Sequence, residues 1–134
     1  VIGMMNTLAQ EGAKNNVKIN ALAPTAGPRM TEGLIPEKAF DLMTPETVTP
    51  AVLYLVSQDA PTRTILAAGA GGYAVAKIVE TDGIYLDEAH QTPEAIAENW
   101  DAIAYSEPKQ LQAGFEQTAK FLGKAAQAKG ISLE

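Results

Sequence analysis

The sequence predicts an α/β fold, with two strands of a parallel sheet flanked by helices and followed by a helical extension. A helical apolar pattern opens the chain, a strand pattern follows over residues 17–23, and a second helix and strand come over 45–58 and 64–68. The chain then becomes polar and shows two further helical patterns. We therefore expect a sheet domain over residues 1–80 and a helical extension over residues 81–134.

The first element is an amphipathic helix that is already under way at residue 1. Its apolar residues recur at the spacing of one helical face: Val1, Met4, Met5, Leu8 and Ala9. Helices usually begin after a Ser, Thr, Asp or Asn cap, and none precedes this one. We therefore expect the chain to be part of a longer domain, with Asn15-Asn16 ending the helix.

The next stretch, Val17 to Thr31, is the first candidate for a site. Val17 and Ile19 alternate with polar residues before the run becomes uniformly apolar, which is typical of a buried parallel strand. Pro24 cannot donate to a sheet ladder, so we expect the strand to end there. Ligands of open α/β sheets bind just past the carboxyl ends of strands, although a plain exit from strand to loop fits the same pattern.

Residues 31–43 form an irregular apolar segment in which Pro36-Glu37-Lys38 marks a short helix start. The helix over 45–58 has Thr44 as its candidate cap. Pro50 either kinks this helix or marks its true beginning, because proline removes a hydrogen bond inside a helix.

After the second strand the sequence has a glycine cluster, Gly69-Ala70-Gly71-Gly72. A glycine-rich loop after a strand can cradle a phosphate, but the Lys-Ser/Thr of a P-loop is missing here. A flexible turn or a close backbone approach is the alternative. The segment from Tyr73 to Glu80 could continue as a strand.

Two helices are predicted in the extension. Thr92-Pro93-Glu94 combines a cap, a first-turn proline and an acid near the positive helix end, and it predicts a helix with an apolar stripe through Trp100. The last helix is predicted over 109–129, with Gly130 as its stop. Its apolar face is expected to consist of Leu111, Phe115, Ala119, Leu122 and Ala126.

Composition excludes several classes of function. The net charge is −6, and the ten basic residues form no cluster that could follow a phosphate backbone, so we expect no nucleic-acid partner. No run approaches the roughly 20 apolar residues that span a bilayer, so we expect no membrane partner. The absence of cysteine fits a reducing compartment, and we expect a soluble, cytoplasmic protein.

The residues with catalytic chemistry form no complete site in the sequence. His90 lies near Asp87 and Glu88, where a metal or acid/base role competes with that of an exposed loop histidine. Tyr73 has Lys77 four residues on, but the segment does not have a helical pattern. The remaining acids of residues 80–88 are expected to be solvated charge, and we expect no metal site.

Six stretches, in order, carry a resemblance to a known family: Leu8 to Gly12, Val17 to Pro24, Arg29-Met30-Thr31, Pro45 to Val48 with Val52 to Leu55, Gly69 to Gly72, and Thr92 to Ala95 with Asn99-Trp100. On these residues the chain resembles the short-chain dehydrogenase/reductase family, and within it the (R)-3-hydroxyacyl-CoA dehydrogenase domains. The resemblance implies the C-terminal part of a Rossmann-type doubly wound parallel sheet.

The resemblance also implies a function, that of an NAD(P)-dependent oxidoreductase acting on a 3-hydroxyacyl-CoA-like or other hydroxy or carbonyl substrate. In the family the glycine-rich dinucleotide loop and the catalytic Tyr-x-x-x-Lys come before the part that this chain matches. The chain alone is therefore expected neither to bind NAD or NADP nor to transfer hydride, and no catalytic residue is assigned within it.

What the resemblance places in this chain is the loop that meets the nicotinamide, through backbone groups and a hydroxyl. The implied cofactor-binding residues are Pro24, Ala26, Gly27, Met30 and Thr31. Two positions depart from the family pattern, Thr25 at a usual glycine and Pro28 where Ser or Thr is frequent.

The resemblance further implies that residues 31–43 cover the substrate and that the first helix pairs across a homo-oligomer. The alternative is a non-catalytic association module that works only with a partner or a complementing chain.

Overall fold

The computed structural model describes residues 1–26 and 36–133, and the chain divides into two compact units at residues 77 and 78. The first unit contains α1 (Ile2–Ala13), β1 (Ala21–Thr25), α2 (Glu37–Phe40), α3 (Thr49–Leu55), β2 (Ile65–Gly69) and β3 (Gly72–Ala76). The second contains β4 (Glu80–Thr81), α4 (Pro93–Glu98), α5 (Trp100–Ala104), β5 (Pro108–Lys109) and α6 (Gly114–Lys129). No helix in the described ranges has the length and apolar character needed to cross a membrane.

The sheet of the first unit has the order β1-β2-β3. β1 and β2 are parallel, with Ala21 opposite Ile65 and Thr25 opposite Gly69, which confirms the predicted parallel pair. β3 returns antiparallel along β2, so the sheet is mixed. Of the segment from Tyr73 to Glu80 that could continue as a strand, β3 includes only the first part, up to Ala76.

β1 lies later in the chain than predicted, since residues 17–20 are outside the sheet ladder. They are instead fastened to the loop before β2. The Asn20 side-chain amide donates to the Pro61 carbonyl at 2.7 Å, and its oxygen accepts from the Thr64 backbone N–H at 3.0 Å. The Ile19 N–H donates to the Thr62 hydroxyl at 3.1 Å. These side-chain contacts replace ladder bonds and move the start of the strand to Ala21.

The prediction that β1 ends at Pro24 is also wrong, because Pro24 lies within the strand opposite Ala68. The Ala21 N–H donates to the Thr64 carbonyl at 2.9 Å. Hydrogen-bonding direction alternates along a strand, so the missing N–H of Pro24 falls on the side away from β2. A proline is tolerated there because no ladder bond is lost.

In the first unit, a proline lies in the first turn of α3 and of the short turn before it. α1 is confirmed, and α3 has Pro50 in its first turn, so Pro50 marks the start of the helix and does not kink it. A separate 3-10 turn, Pro45–Thr47, precedes α3. Thr44 makes no side-chain cap bond to this turn, contrary to prediction; its carbonyl accepts from the Thr47 hydroxyl at 2.7 Å.

The core of the first unit is small and consists mainly of alanine and valine. Val48, Ala51 and Ala68 form its buried cluster, and Leu22 and Leu66 pack against it. No large side chain in the described residues is fully buried. The apolar stripe of α1 buries Met5 and Ala9 only, while Val1, Met4 and Leu8 are exposed.

The second unit differs from the sequence prediction at its last helix. α6 begins at Gly114 and not at residue 109, because residues 108–109 form β5 and pair with β4. Gly130 ends the helix with φ of 63°, as predicted. Of the predicted apolar face, Ala126 is buried, whereas Phe115 and Leu122 are 73% and 54% exposed. The start of α4 is confirmed by the Thr92 hydroxyl, which accepts from the Ala95 N–H at 3.2 Å.

Ion pairs fasten the chain before α4 to α6. Lys120 pairs with Glu80, Lys124 pairs with Asp82, and Lys129 Nζ lies 2.8 Å from Glu88 Oε1. The three carboxylates are 29%, 56% and 81% exposed, so they keep contact with solvent, and each is in addition paired with a lysine. Each lysine donates a hydrogen bond that lowers the pKa of its carboxyl partner below the ordinary value.

Acid should weaken the second unit through these pairs. Because the folded-state pKa values of Glu80, Asp82 and Glu88 are lowered, the stabilisation is present above their ordinary pKa and is lost as the pH falls through the folded values. We expect the urea midpoint, followed by Trp100 fluorescence, to be level from neutral pH to about 5 and to fall below it. Lys120→Met should reduce this pH dependence, and Lys14→Met, in α1, should not. A midpoint that stays level into strong acid contradicts this prediction.

Candidate functional site

Two of the predicted cofactor-side residues, Pro24 and Ala26, lie at the carboxyl end of β1. Pro24 is within the strand, and Ala26 follows it, partly buried against the cluster of Val48, Ala51 and Ala68. The remaining predicted residues, Gly27, Met30 and Thr31, lie outside the described residues, as does the first part of the expected substrate loop, residues 31–35.

A cavity of about 450 Å³ adjoins this edge of the sheet. The carboxyl ends of the parallel strands β1 and β2 both contribute to its wall. Among the described residues of the lining, most are small or apolar and none is charged: Thr25, Met43, Ala67, Ala68, Gly69, Ala70, Gly72, Tyr73 and Ala74. The described part of this lining fits an uncharged group.

The glycine cluster is the turn of the β2–β3 hairpin. Gly69 and Gly72 pair across it, and Ala70 and Gly71 have φ of 49° and 78°, as in a type I′ turn. A Cβ atom at Gly69 would lie 2.4 Å from the Thr25 carbonyl oxygen, so both the turn and the close-approach interpretations are confirmed. The cluster shapes the cavity wall, and its position inside a hairpin does not support the phosphate-loop interpretation.

Tyr73 is an anchored residue of this wall. It lies in β3, half-exposed, and its hydroxyl donates to the Thr47 carbonyl at 2.8 Å. Lys77 follows the end of that strand, so the two side chains do not share a helical face. Tyr105 and Lys109 have the same four-residue spacing, which sequence reasoning missed, but a non-helical stretch and Pro108 separate them. Neither pair has the helical geometry of a Tyr-Lys acid/base pair.

His90 is held by Asp87 on the surface of the second unit. Its Nδ1 lies 2.7 Å from Asp87 Oδ1, and the two side chains are 66% and 60% exposed. The hydrogen bond from His90 lowers the pKa of Asp87, which also accepts from the backbone N–H of Ala89. Across the described ranges, no group of three or more His, Cys, Asp or Glu residues is placed to hold a metal ion. Asp87 thus acts as the cap of a 3-10 turn.

Sequence comparison shows which proteins this chain is similar to. The chain is 38% identical over 104 residues to peroxisomal multifunctional enzyme A of Dictyostelium discoideum, covering 77% of this chain and 23% of the relative. It is 37% identical over 119 residues to peroxisomal multifunctional enzyme type 2 of Mus musculus, covering 84% and 16%. A short-chain type dehydrogenase/reductase of Mycobacterium tuberculosis is 36% identical over 104 residues, covering 77% and 36%. The chain is a homologue of the short-chain dehydrogenases/reductases.

Solved structures agree with this relationship. Full-length peroxisomal multifunctional enzyme type 2 from Drosophila melanogaster superposes with a TM-score of 0.77 at 29% identity, covering 91% of this chain and 23% of that one. A short chain dehydrogenase from Mycobacterium avium, 23% identical, shares the fold with a TM-score of 0.56, covering 82% and 36%. No family model matches the chain. The predicted fold class, part of a Rossmann-type sheet with a helical extension, is confirmed.

The three sequence relatives are much longer than this chain, which spans 16% to 36% of their lengths. Pro24 and Ala26, which the family resemblance implies as cofactor-side residues, lie near this cavity, whereas no sequence signal indicates the lining residues Met43 and Tyr73. Thr25, which departs from a family glycine, also lines the cavity. Thr25 in β1 lies so close to position 69 in β2 that a side chain there would collide with it, so the glycine that this contact requires is Gly69.

Proposed function

We propose that this chain supplies the nicotinamide-side wall and the substrate loop of an NAD(P)-dependent oxidoreductase. The observation that carries the proposal is the cavity at the carboxyl edge of β1 and β2, whose described lining has no charged residue, in a chain homologous to short-chain dehydrogenases/reductases. An edge of this kind is the usual ligand position of open α/β sheets.

The dinucleotide, when bound, supplies hydride chemistry, and the chain's own residues would position its uncharged end. Pro24 and Ala26 would contribute backbone surface at the end of β1. Gly27, Met30 and Thr31 would contribute the following loop, with the Thr31 hydroxyl as a hydrogen-bonding group. The proton-transfer residues would lie in a part of the full-length protein that is outside this chain.

The proposed substrate is a 3-hydroxyacyl-CoA-like molecule or another hydroxy or carbonyl compound. Relatives named peroxisomal multifunctional enzymes and peroxisomal hydratase-dehydrogenase-epimerases support this class. We further propose that the protein is a homo-oligomer and that it is cytoplasmic. The location is proposed because a sequence without cysteine fits a reducing compartment.

A substitution of Thr31 in the full-length protein tests whether this residue contacts the cofactor. Thr31→Val should raise the KM for the dinucleotide about fivefold with little change in kcat, because one hydrogen bond to bound cofactor is lost. Thr118→Val, an exposed position in α6, is the matched control. Steady-state kinetics with NAD, NADP and hydroxyacyl or carbonyl substrates measure the effect.

The isolated 134-residue chain should show no saturable NADH binding by calorimetry. Micromolar binding by the chain alone would mean that the cofactor site is misplaced. A full protein without NAD(P)-dependent activity on these substrates would overturn the oxidoreductase proposal itself.

A second candidate, the association module, is favoured by α1. This helix exposes three apolar side chains along one face, with Val1 89%, Met4 63% and Leu8 39% exposed. Exposed apolar sets of this kind mark interaction surfaces. Sedimentation of the isolated chain should show a dimer or larger species, and a stable monomer would count against this candidate.

A further inference from the structure

The second unit contains a cavity of its own, of about 540 Å³. It lies between residues 80–91 and helix α6, with α4 and α5 contributing side chains. Its apolar wall consists mainly of Ile84, Leu86, Ile96, Ile103, Phe121 and Ala125. The volume is within the range of small-molecule sites.

The charged side chains at this cavity are all paired with one another. Four line it, and they form the pairs Lys120 with Glu80 and Lys124 with Asp82. The lysine side chains are only 17% and 22% exposed. A ligand with a net charge would have to break one of these pairs or remain without a counter-charge, and both cost free energy in a partly desolvated place.

Two polar groups of the lining are available to a ligand. The Gln91 amide nitrogen donates to the Leu86 carbonyl at 3.1 Å, while its side-chain oxygen accepts no hydrogen bond from any described residue. The Tyr85 hydroxyl likewise makes no hydrogen bond within the described ranges. A hydroxyl or carbonyl group could bond here without disturbing either ion pair.

We propose that this cavity is a binding site for a small neutral amphipathic molecule with an aliphatic chain and one hydroxyl or carbonyl group. The chain takes the apolar wall, and the polar group takes Gln91 or Tyr85. The site lies entirely within the second unit, so it stands without the proposed cofactor-side function.

Three probes of equal chain length test the ligand class: 1-octanol, octanoate and octylammonium. Titrated into the ¹⁵N-labelled chain, 1-octanol should give saturable NMR shifts concentrated on the amides of the cavity residues. The two ions should bind at least about tenfold more weakly, because each must compete with an existing ion pair. Octanoate or octylammonium binding as tightly as 1-octanol overturns the proposal. So do shifts that never saturate, or shifts that centre on exposed Phe115, which would indicate partition onto the surface.

Two phenylalanine variants on the same helix test the location. Ala125→Phe should fill the cavity and weaken 1-octanol binding at least about tenfold, whereas Ala128→Phe, at an exposed position outside the lining, should leave it unchanged. Equal affinity in both variants places the ligand elsewhere.

If Ala125→Phe loses the dispersed spectrum of a folded chain, Gln91→Leu gives an independent answer. Gln91 is exposed, and its substitution should weaken 1-octanol about threefold or more through loss of the hydrogen bond. The double substitution of Gln91→Leu with Tyr85→Phe should remove the preference for 1-octanol over octane. A preference that survives both substitutions contradicts the proposed polar contacts.

Discussion

Gly69→Ala should destabilise the first unit by about 2–3 kcal/mol, as overpacking against main chain does. The added Cβ would lie 2.4 Å from the Thr25 carbonyl oxygen and 2.9 Å from the Thr25 Cβ. Thr25 is paired with Gly69 in the parallel ladder, so it cannot withdraw without losing ladder hydrogen bonds. Urea unfolding followed by the backbone NMR signals of β1 and β2 measures the loss.

Gly72→Ala is the matched control because it lies at the other end of the same turn. Its added Cβ would have only the Gly69 carbonyl oxygen nearby, at 3.4 Å. We expect a change of about 0.5 kcal/mol or less. Equal destabilisation by the two substitutions would show that the contact with Thr25 is not what requires glycine at position 69.

Asn20→Ala should cost the first unit about 2–3 kcal/mol in free energy of unfolding. The substitution removes the acceptor of the Thr64 N–H and the donor to the Pro61 carbonyl, and both bonds are part-buried. Asn20→Asp should also destabilise, because a carboxylate still accepts from Thr64 but faces the Pro61 carbonyl with no hydrogen to donate. The midpoint of urea unfolding and the hydrogen exchange of the β2 amides report both effects.

Asn15→Ala provides the comparison for Asn20. Asn15 is exposed after α1, and its side chain makes no hydrogen bond within the described residues. Its substitution should change the free energy of unfolding by no more than about 0.5 kcal/mol. If Asn20→Ala were as mild as Asn15→Ala, the start of β1 would have to be held by the backbone alone.

Local sequence signals predicted the elements that depend on local chemistry. Periodicity located α1, a cap and a proline located α4, and Gly130 located the end of α6. The misplaced boundaries depend on contacts distant in sequence. The start of β1 is set by hydrogen bonds between Asn20 and residues more than forty positions away. α6 starts late because Lys109 belongs to β5 and lies opposite Glu80 of β4 in the sheet. No local pattern carries such information.

For the candidate site, the sequence predicts a place at the end of a strand and not a full set of residues, and the assignment of Pro24 and Ala26 to it stays a prediction. Pro24 lies near the carboxyl end of β1, within the strand and not after it. Tyr73 and Met43 reach the cavity through the β2–β3 hairpin and the chain before α3, and their presence follows from the fold. The ion pairs of the second unit were missed for the same reason, because acids near residue 80 meet lysines near residue 120 only after folding.

Pro24 makes the outer side of β1 an incomplete partner for another strand. On that side the strand offers the N–H of Leu22 but no donor at residue 24, since hydrogen-bonding direction alternates along the chain. A strand that adds to this edge can therefore accept a hydrogen bond from the Leu22 N–H, but it receives none from residue 24. The proline thus limits how far a neighbouring strand can pair along this side of β1. The end of β1 beside the 450 Å³ cavity is therefore a poor position for an added strand.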